Sequence, residues 1–252
     1  MDEAGIMEGL GANGLVVGAS ELRKAYTKEP NRGSWMTFVE CISAAGHALD
    51  PLVIFRGQTL QQQWFSDNEL YRFQQWYFSS TENGWTSNDN ALEWLMKLFI
   101  PRTKPSHNDQ YRLLILDGHG SHVTDEFMWQ CHLHHIYLIY LPAHTSHILQ
   151  PLDLAVFSPL KTAYRKWAGK LYITTDAAPI GKSGFLLCLH KAREEAMTSR
   201  NIKSGWRAGG LRPLNPQKAL RSERILPSKP KTPPQIPQTP LPLPGLMPMQ
   251  TP

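Results

Sequence analysis

The sequence is poor in cysteine and has no long hydrophobic run. Its 252 residues include three cysteines, Cys41, Cys131 and Cys188, and no CxxC pair. This usage argues against a disulfide framework and is typical of buried thiols in a reducing compartment. No apolar stretch approaches the roughly 20 residues of a membrane-spanning helix, and no basic segment followed by an apolar one opens the chain. We therefore expect a soluble, intracellular protein.

Acidic residues are almost missing from the C-terminal part of the chain. Residues 201–231 contain eight Lys and Arg and a single acid, Glu223, so this segment carries a net charge of +7 within a total of +5. A basic segment favours a phosphate-bearing polymer as partner, because Lys and Arg bind a phosphate backbone. A solvated basic stretch without a partner is the alternative.

The end of the chain is rich in proline and poor in charged residues. Residues 227–252 hold ten of the 20 prolines, and their charged residues are Lys229 and Lys231. Proline at this density excludes a helix or a sheet interior, and few residues are left to build a core. The pattern predicts an extended, disordered tail that acts as a spacer, with a polyproline docking segment as the alternative.

The rest of the sequence predicts one α/β domain. With 41% hydrophobic residues the chain can bury a substantial core. Residues 34–43 and 48–55 are rich in β-branched and aromatic residues and flank the turn-like AAGH, which predicts a β-hairpin. Further predictions are strands at 76–78, 111–117 and 136–141, and helices ending at Pro101 and spanning about 123–134, 153–169 and 182–199. A hairpin followed by alternating strands and helices gives a mixed sheet.

Two aspartates follow the apolar runs of the predicted parallel strands. Asp117 ends the run in LLILDGHGSH, and Asp153 lies 36 positions later in LQPLD. Both carboxylates should leave the C-terminal edge of neighbouring strands, where α/β sheets place their chemistry. Carboxylates suit Mg²⁺ or Mn²⁺, and two such ions about 3.5–4 Å apart stabilise both oxygens of a phosphoryl displacement. The pattern indicates phosphodiester hydrolysis or transfer, with simple helix capping as the alternative. Asp2, beside Glu3, is a third acid that could join them.

Histidines near these aspartates offer a competing site. Two follow Asp117 and two precede Asp153. In chain order they are His119, His122, His144 and His147. An imidazole-rich Zn²⁺ site is chemically open, although the HExxH and HxE…CxxC motifs are absent. We favour a supporting role in which His119, His122 and His147 orient carboxylates or contact phosphate.

Six segments of a known family pattern occur in order between residues 1 and 220. They are MDEAGIMEG, PLVIFRG, WYFSSTENGWTSNDNALEWL, LLILDGHGSH, the stretch from IYLIYLP to KTAYRKW, and NIKSGWRAGGLRPLNPQKAL. Together they resemble the DDE superfamily endonuclease domain of pogo and Tigger type transposases, a group that includes relatives similar to centromere protein B. Each segment alone is a weak signal, whereas all of them in this order make the match specific.

The resemblance implies an RNase H-like fold with three metal-binding acids and two-metal catalysis by Mg²⁺ or Mn²⁺. Asp2 matches the first acid of the family's DE-G motif, Asp117 the second in LDGH-SH, and Asp153 the third in LQPLD. The implied activity is cleavage or transfer of DNA phosphodiester bonds. DNA is the implied partner, without a membrane or a small-molecule cofactor, and a homo-oligomer is left open. The basic residues expected to contact the DNA backbone are Arg56, Lys161, Arg165 and Lys166.

Two departures from the family pattern concern the start of the chain. Family members carry helix-turn-helix modules ahead of this domain, and nothing precedes Met1 here, so we expect targeting to transposon ends to be lost. The family's first acid lies on the central strand, whereas this chain begins one residue before Asp2. We therefore expect a truncated first strand, unpaired backbone groups at a cost of about 1–3 kcal/mol each, and an Asp2 that frays.

The fold class is thus α/β, an RNase H-like mixed sheet flanked by helices. We divide the chain into an RNase H-like DDE endonuclease domain at 1–200, a basic C-terminal extension at 201–226 and a Pro-rich disordered tail at 227–252. A nuclear location follows from the family and its substrate, and the basic stretch at 218–231 would act as an import signal.

Two functions stay open on the sequence. The first is a metal-dependent nuclease or transposase domain. The second is a catalytically inactive, decayed or domesticated module that binds nucleic acid. The reason for this hypothesis is the short first strand. A structural protein without a nucleic-acid partner is a third alternative.

Overall fold

The computed structural model describes residues 1–7, 35–65, 70–107, 109–174 and 180–222. The Pro-rich segment 227–252 lies outside these residues. Within them the strands are β1 (Asp2–Met7), β2 (Trp35–Glu40), β3 (Leu52–Arg56), β4 (Tyr77–Thr81), β5 (Arg112–Leu116) and β6 (Ile136–Tyr140). The helices are α1 (Asn88–Trp94), α2 (Ile100–Arg102), α3 (Asp125–Leu133), α4 (Ser146–Leu149), α5 (Pro151–Ala155), α6 (Phe157–Thr174), α7 (Lys182–Ala196), α8 (Ser199–Ala208) and α9 (Pro216–Leu220).

The four strands β1 to β4 form a sheet with the mixed directions that the sequence predicts, whereas β5 and β6 form a separate two-stranded sheet. β1, β2 and β3 pair antiparallel in chain order, and β4 joins β3 in parallel. β5 and β6 form a parallel pair, with α3 as the connection between them. The predicted hairpin at 34–55 and both predicted parallel strands are confirmed. The helix predicted before Pro101 is also present, although it continues through a π-helical turn at Leu95–Phe99 as far as Arg102.

The expected fraying of the N-terminus is wrong. All six residues of β1 have partners in β2, beginning with Asp2 opposite Glu40. The Met1 ammonium group donates a hydrogen bond of 2.9 Å to the Ile115 carbonyl of β5, and Gln150 Nε2 donates one of 2.9 Å to the Met1 carbonyl. These bonds and the burial of Met1 and Asp2 hold the terminus in place. The short strand is stable because its end is tied to β5 and to the loop before α5.

The sheet lies between two hydrophobic layers, because the side chains of each strand alternate between its two faces. One layer joins alternate residues of β1 to β3, including Ala4, Phe38 and Phe55, to α6, α7 and α8. The other joins Val39, Leu52 and Ile54 to α1, β5 and α3. The sheet is therefore flanked by helices, as expected. Within the described residues no helix has both the length and the apolar character that crossing a bilayer requires.

Helix α8 packs directly on the segment that carries Asp153. A Cβ atom added at Gly205 would lie 2.2 Å from the Pro151 carbonyl oxygen, so this close approach requires glycine. Ile202 of the same helix is fully buried in the core. The boundary that we placed between residues 200 and 201 consequently falls inside α8, and the first part of the basic extension belongs to the packed structure.

Candidate active site

The three predicted acids come from distant parts of the chain. Asp2 opens β1, and Asp117 follows the last residue of β5. The expected strand edge is wrong for Asp153, which lies in the first turn of α5 because α4 separates it from the end of β6. The charges of Asp153 and Asp117 both act on the ionisation of Asp2, and the charge of Asp117 acts on that of Asp153. Because Coulomb interactions weaken with distance, this mutual influence indicates that the three carboxylates are near one another.

The three carboxyl groups differ in their ionisation. Burial raises the pKa of Asp2 to about 7, and the negative charge of Asp153 adds to this effect, followed by that of Asp117. Burial also raises the pKa of Asp153, against the opposing charge of Lys161. The pKa of Asp117 is instead lowered, chiefly by its interaction with His122. The edge therefore concentrates negative charge that a cation would relieve.

His122 connects Asp117 to a residue of the first strand. Its Nδ1 lies 3.3 Å from Asp117 Oδ1 and its Nε2 lies 3.3 Å from Glu3 Oε1. The ring is buried, with 1% of the side chain exposed. Although burial alone would lower the pKa of His122, the contacts with Asp117 and Glu3 raise it. At 3.3 Å the two contacts are ion pairs without hydrogen-bond geometry, and both ring nitrogens are buried between the two carboxylates.

Glu3 is a site residue that sequence reasoning passed over. Its Oε2 accepts a hydrogen bond of 2.6 Å from Thr86 Oγ1, in the loop just before α1. The sequence places Glu3 beside Asp2, but nothing in it links Glu3 to a loop 83 residues away. The alternation of β1 was the available signal: Asp2 and Glu3 must point to opposite faces of the sheet and therefore meet different partners.

The other two supporting histidines are exposed. His119 Nδ1 lies 2.9 Å from Ser121 Oγ, and the backbone N–H of His119 donates to Asp117 Oδ1 at 3.4 Å. The charge of His147 lowers the pKa of Asp153 slightly, against the dominant effect of burial. The roles of both residues stay predictions.

The three aspartates have oxygen atoms suited to a metal ion, but their side chains are not close enough together to form a complete ligand set. In the part of the chain that the structure describes, no group of three or more His, Cys, Asp or Glu side chains is close enough together to hold a metal ion. This applies to the four histidines of the zinc alternative as well as to the acids. The donor chemistry of Asp2, Asp117 and Asp153 nevertheless fits a hard divalent cation, because all three supply carboxylate oxygens and repel one another when ionised.

The basic residues near the site divide into two groups. Lys161 lies close enough to Asp153 to influence its ionisation, and Arg165 follows one helical turn later on α6, on the same side of the helix. Lys166 points elsewhere, since its Nζ lies 2.7 Å from both carboxylate oxygens of Glu195 on α7. Arg56 ends β3 with an exposed side chain. Contact with DNA stays a prediction for each of them.

The raised pKa of Asp2 gives a test that needs no substrate. A group whose pKa is raised on folding supports the fold below its unfolded pKa, and this support is lost as pH rises through the folded value. Without metal, Asp2 should therefore destabilise the fold progressively between about pH 4 and about pH 7. We expect Asp2→Asn to raise the free energy of unfolding by up to about 4 kcal/mol at pH 8 in a chelator.

Urea unfolding of the wild type and Asp2→Asn at pH 5, 6, 7 and 8 measures this difference. The expected result is a gap between the two proteins that widens across this range. A gap that stays constant with pH would show that Asp2 does not titrate with a raised pKa.

Comparison with known proteins matches residues 32–206 to the family described as DDE superfamily endonuclease. This region contains Asp117, His122 and Asp153, whereas Asp2 and Glu3 precede it. The chain is 38% identical over 239 residues to the protein named MFS-type transporter clz9 of Cochliobolus lunatus, covering 94% of this chain and 26% of that protein. It is 26% identical over 161 residues to the human protein named Pogo transposable element with ZNF domain, covering 62% of this chain and 10% of that protein.

Among solved structures, complexes of Mos1 show some similarity to the chain. The pre-cleavage Mos1 transpososome aligns with a TM-score of 0.45 at 13% identity, over 81% of this chain and 54% of that chain. The Mos1 strand transfer complex aligns with a TM-score of 0.40 at 15% identity, over 81% of this chain and 52% of that chain.

Proposed function

Because the chain belongs to the DDE superfamily endonuclease family, we propose that its domain cuts or transfers DNA phosphodiester bonds with divalent ions held by Asp2, Asp117 and Asp153. The observation that carries this proposal is the position of Met1, the neighbour of Asp2. Its ammonium group donates to the carbonyl of Ile115, two residues before Asp117, and its carbonyl accepts from Gln150, three residues before Asp153. The family implies dependence on a divalent metal. We propose Mg²⁺ or Mn²⁺, since both prefer carboxylate oxygens.

The residues of the site have separable tasks in this mechanism. When bound, two divalent ions would stabilise the attacking and the leaving oxygen of an in-line displacement. Asp117, kept ionised by His122, is ready to ligate at neutral pH. Asp2 must lose the proton that burial and its acidic neighbours favour, so that metal binding should release protons near neutral pH.

Basic side chains beside the acids would hold the DNA backbone. Lys161 and Arg165 lie on one side of α6, next to Asp153, and suit phosphate groups on either side of the bond to be cut. Further basic residues of the 201–222 segment lie on the helices that pack against α5 or follow α8. With DNA as substrate, we also propose a nuclear location.

A supercoiled plasmid tests the proposed activity. Purified chain with Mg²⁺ or Mn²⁺ should convert it to the nicked form, and excess EDTA should stop the reaction, because the carboxylates alone do not activate water at a phosphodiester. Gel shifts with labelled duplex DNA at increasing salt, run alongside, measure binding. Binding without metal-dependent nicking would contradict the proposal and support the inactive binding module instead.

A further inference from the structure

Glu3 is fixed on the opposite face of β1 from the core that Ala4 and Ile6 enter. Its two carboxylate oxygens have different partners: Oε2 accepts from Thr86 Oγ1 at 2.6 Å, and Oε1 lies 3.3 Å from His122 Nε2. The side chain is 19% exposed, and Oε1 itself is buried. Oε2 is therefore hydrogen-bonded, whereas Oε1 faces His122 at ion-pair distance without hydrogen-bond geometry.

The His122 ring is held in turn from several directions. Its Nδ1 faces Asp117 Oδ1, its ring packs 6.0 Å from that of Phe127, and its backbone carbonyl accepts a hydrogen bond of 2.7 Å from Tyr140 Oη. Both nitrogens are buried, and each faces a carboxylate, Glu3 on one side and Asp117 on the other. A rotation of the ring would separate a buried nitrogen from the carboxylate that it faces.

We infer that Glu3 is a positioning residue. Through His122 it fixes the orientation of the Asp117 carboxylate, and the hydrogen bond from Thr86 fixes the orientation of Glu3 itself. This inference rests on the proposed function, because positioning of Asp117 matters if Asp117 ligates a metal. Two consecutive residues of β1 then have different roles. Asp2 would ligate the metal directly, whereas Glu3 acts on Asp117 through His122.

Positioning differs measurably from a simple contribution of negative charge. Glu3→Ala removes the carboxylate and both contacts, and we expect it to weaken Mn²⁺ binding, measured by electron paramagnetic resonance of free Mn²⁺, about tenfold or more. Glu3→Gln removes the charge but keeps polar atoms that reach Thr86 and His122, so it should restore most of the affinity. The matched control, Glu82→Ala, removes an exposed carboxylate and should bind Mn²⁺ like the wild type.

Two results would overturn the inference. One is a Glu3→Ala variant that binds Mn²⁺ as tightly as the wild type. The other is a Glu3→Gln variant that is as weak as Glu3→Ala, because Glu3 would then act through its charge alone.

A readout without metal separates this inference from the proposed function. In the wild type, the His122 ring N–H facing Glu3 should give an NMR signal protected from exchange with water, and Glu3→Ala should abolish it. An unchanged signal in the variant overturns the positioning inference. If the wild type binds no Mn²⁺, the proposed function fails, and this signal still decides whether Glu3 holds His122.

Thr86→Val provides a second variant should Glu3→Ala not fold. It removes the hydroxyl group that holds Glu3 Oε2 while keeping the shape of the side chain. We expect a loss of Mn²⁺ affinity of about fivefold, which corresponds to one hydrogen bond of about 1 kcal/mol. Unchanged affinity and an unchanged His122 signal in a folded Thr86→Val protein would overturn the part assigned to Thr86.

Discussion

Asp117→Asn and Asp153→Asn should each lower the rate of metal-dependent plasmid nicking by at least about 10³-fold, because a ligated metal contributes several kcal/mol to transition-state stabilisation. Asparagine has nearly the volume of aspartate, so the fold should persist while the ligand charge is lost. Asp117 is the more sensitive position in a second respect. Its replacement also removes the negative charge that faces the buried His122 Nδ1 at 3.3 Å.

The control for both variants is Asp109→Asn. Asp109 is exposed and precedes β5, so this change removes one carboxylate without touching the three acids. It should nick DNA at the wild-type rate. Nicking by Asp117→Asn or Asp153→Asn within a few fold of the wild type would show that the acid in question does not take part in the reaction.

Arg193→Ala should cost about 3–5 kcal/mol in the free energy of unfolding, because it leaves a buried carboxylate without its partner. Arg193 on α7 donates from Nε to Glu40 Oε1 at 2.7 Å and from Nη2 to Glu40 Oε2 at 3.0 Å. Glu40 is fully buried and lies opposite Asp2 in the β1–β2 pair. The same guanidinium donates to the Leu49 carbonyl at 2.7 Å, so three acceptors lose their donor together.

The matched control is an exposed ion pair. Lys97→Ala breaks the contact of Lys97 with Glu93 on the helix surface, where an exposed ion pair contributes far less than a buried one. Urea unfolding at pH 7 should separate the two variants clearly. The cost of Arg193→Ala should shrink at lower pH, because burial raises the pKa of Glu40 and the unpaired group can protonate. A cost below about 1 kcal/mol would mean that this pair does not hold α7 to the sheet.

The order of strands and helices was predictable from the sequence because their hydrophobic patterns are local. The hairpin between Trp35 and Arg56 and the parallel strands at 112–116 and 136–140 follow from apolar runs bounded by turn residues. The stability of β1 was not predictable. It depends on hydrogen bonds from Met1 to Ile115 and from Gln150 to Met1, and these join residues more than 100 positions apart.

The acids proposed for the site came from two signals in the sequence, and their joint role stays a prediction. Asp117 ends an apolar run and Asp153 lies in the LQPLD segment, and the motif resemblance added Asp2. Their partners could not be predicted in the same way. Glu3 meets His122, and Glu40 meets Arg193, through side chains that turn toward each other only when the sheet is assembled. Likewise, the sequence groups Lys166 with Lys161 and Arg165. In the structure Lys166 instead contacts Glu195.

Manganese-induced broadening of backbone amide NMR signals tests most directly whether Asp2, Asp117 and Asp153 form one metal site. Substoichiometric Mn²⁺ should broaden the signals of residues around Asp2, around Asp117 and around Asp153 together, and excess Mg²⁺ should restore all three sets. Broadening around a single acid, or at unrelated surface carboxylates, would contradict the account.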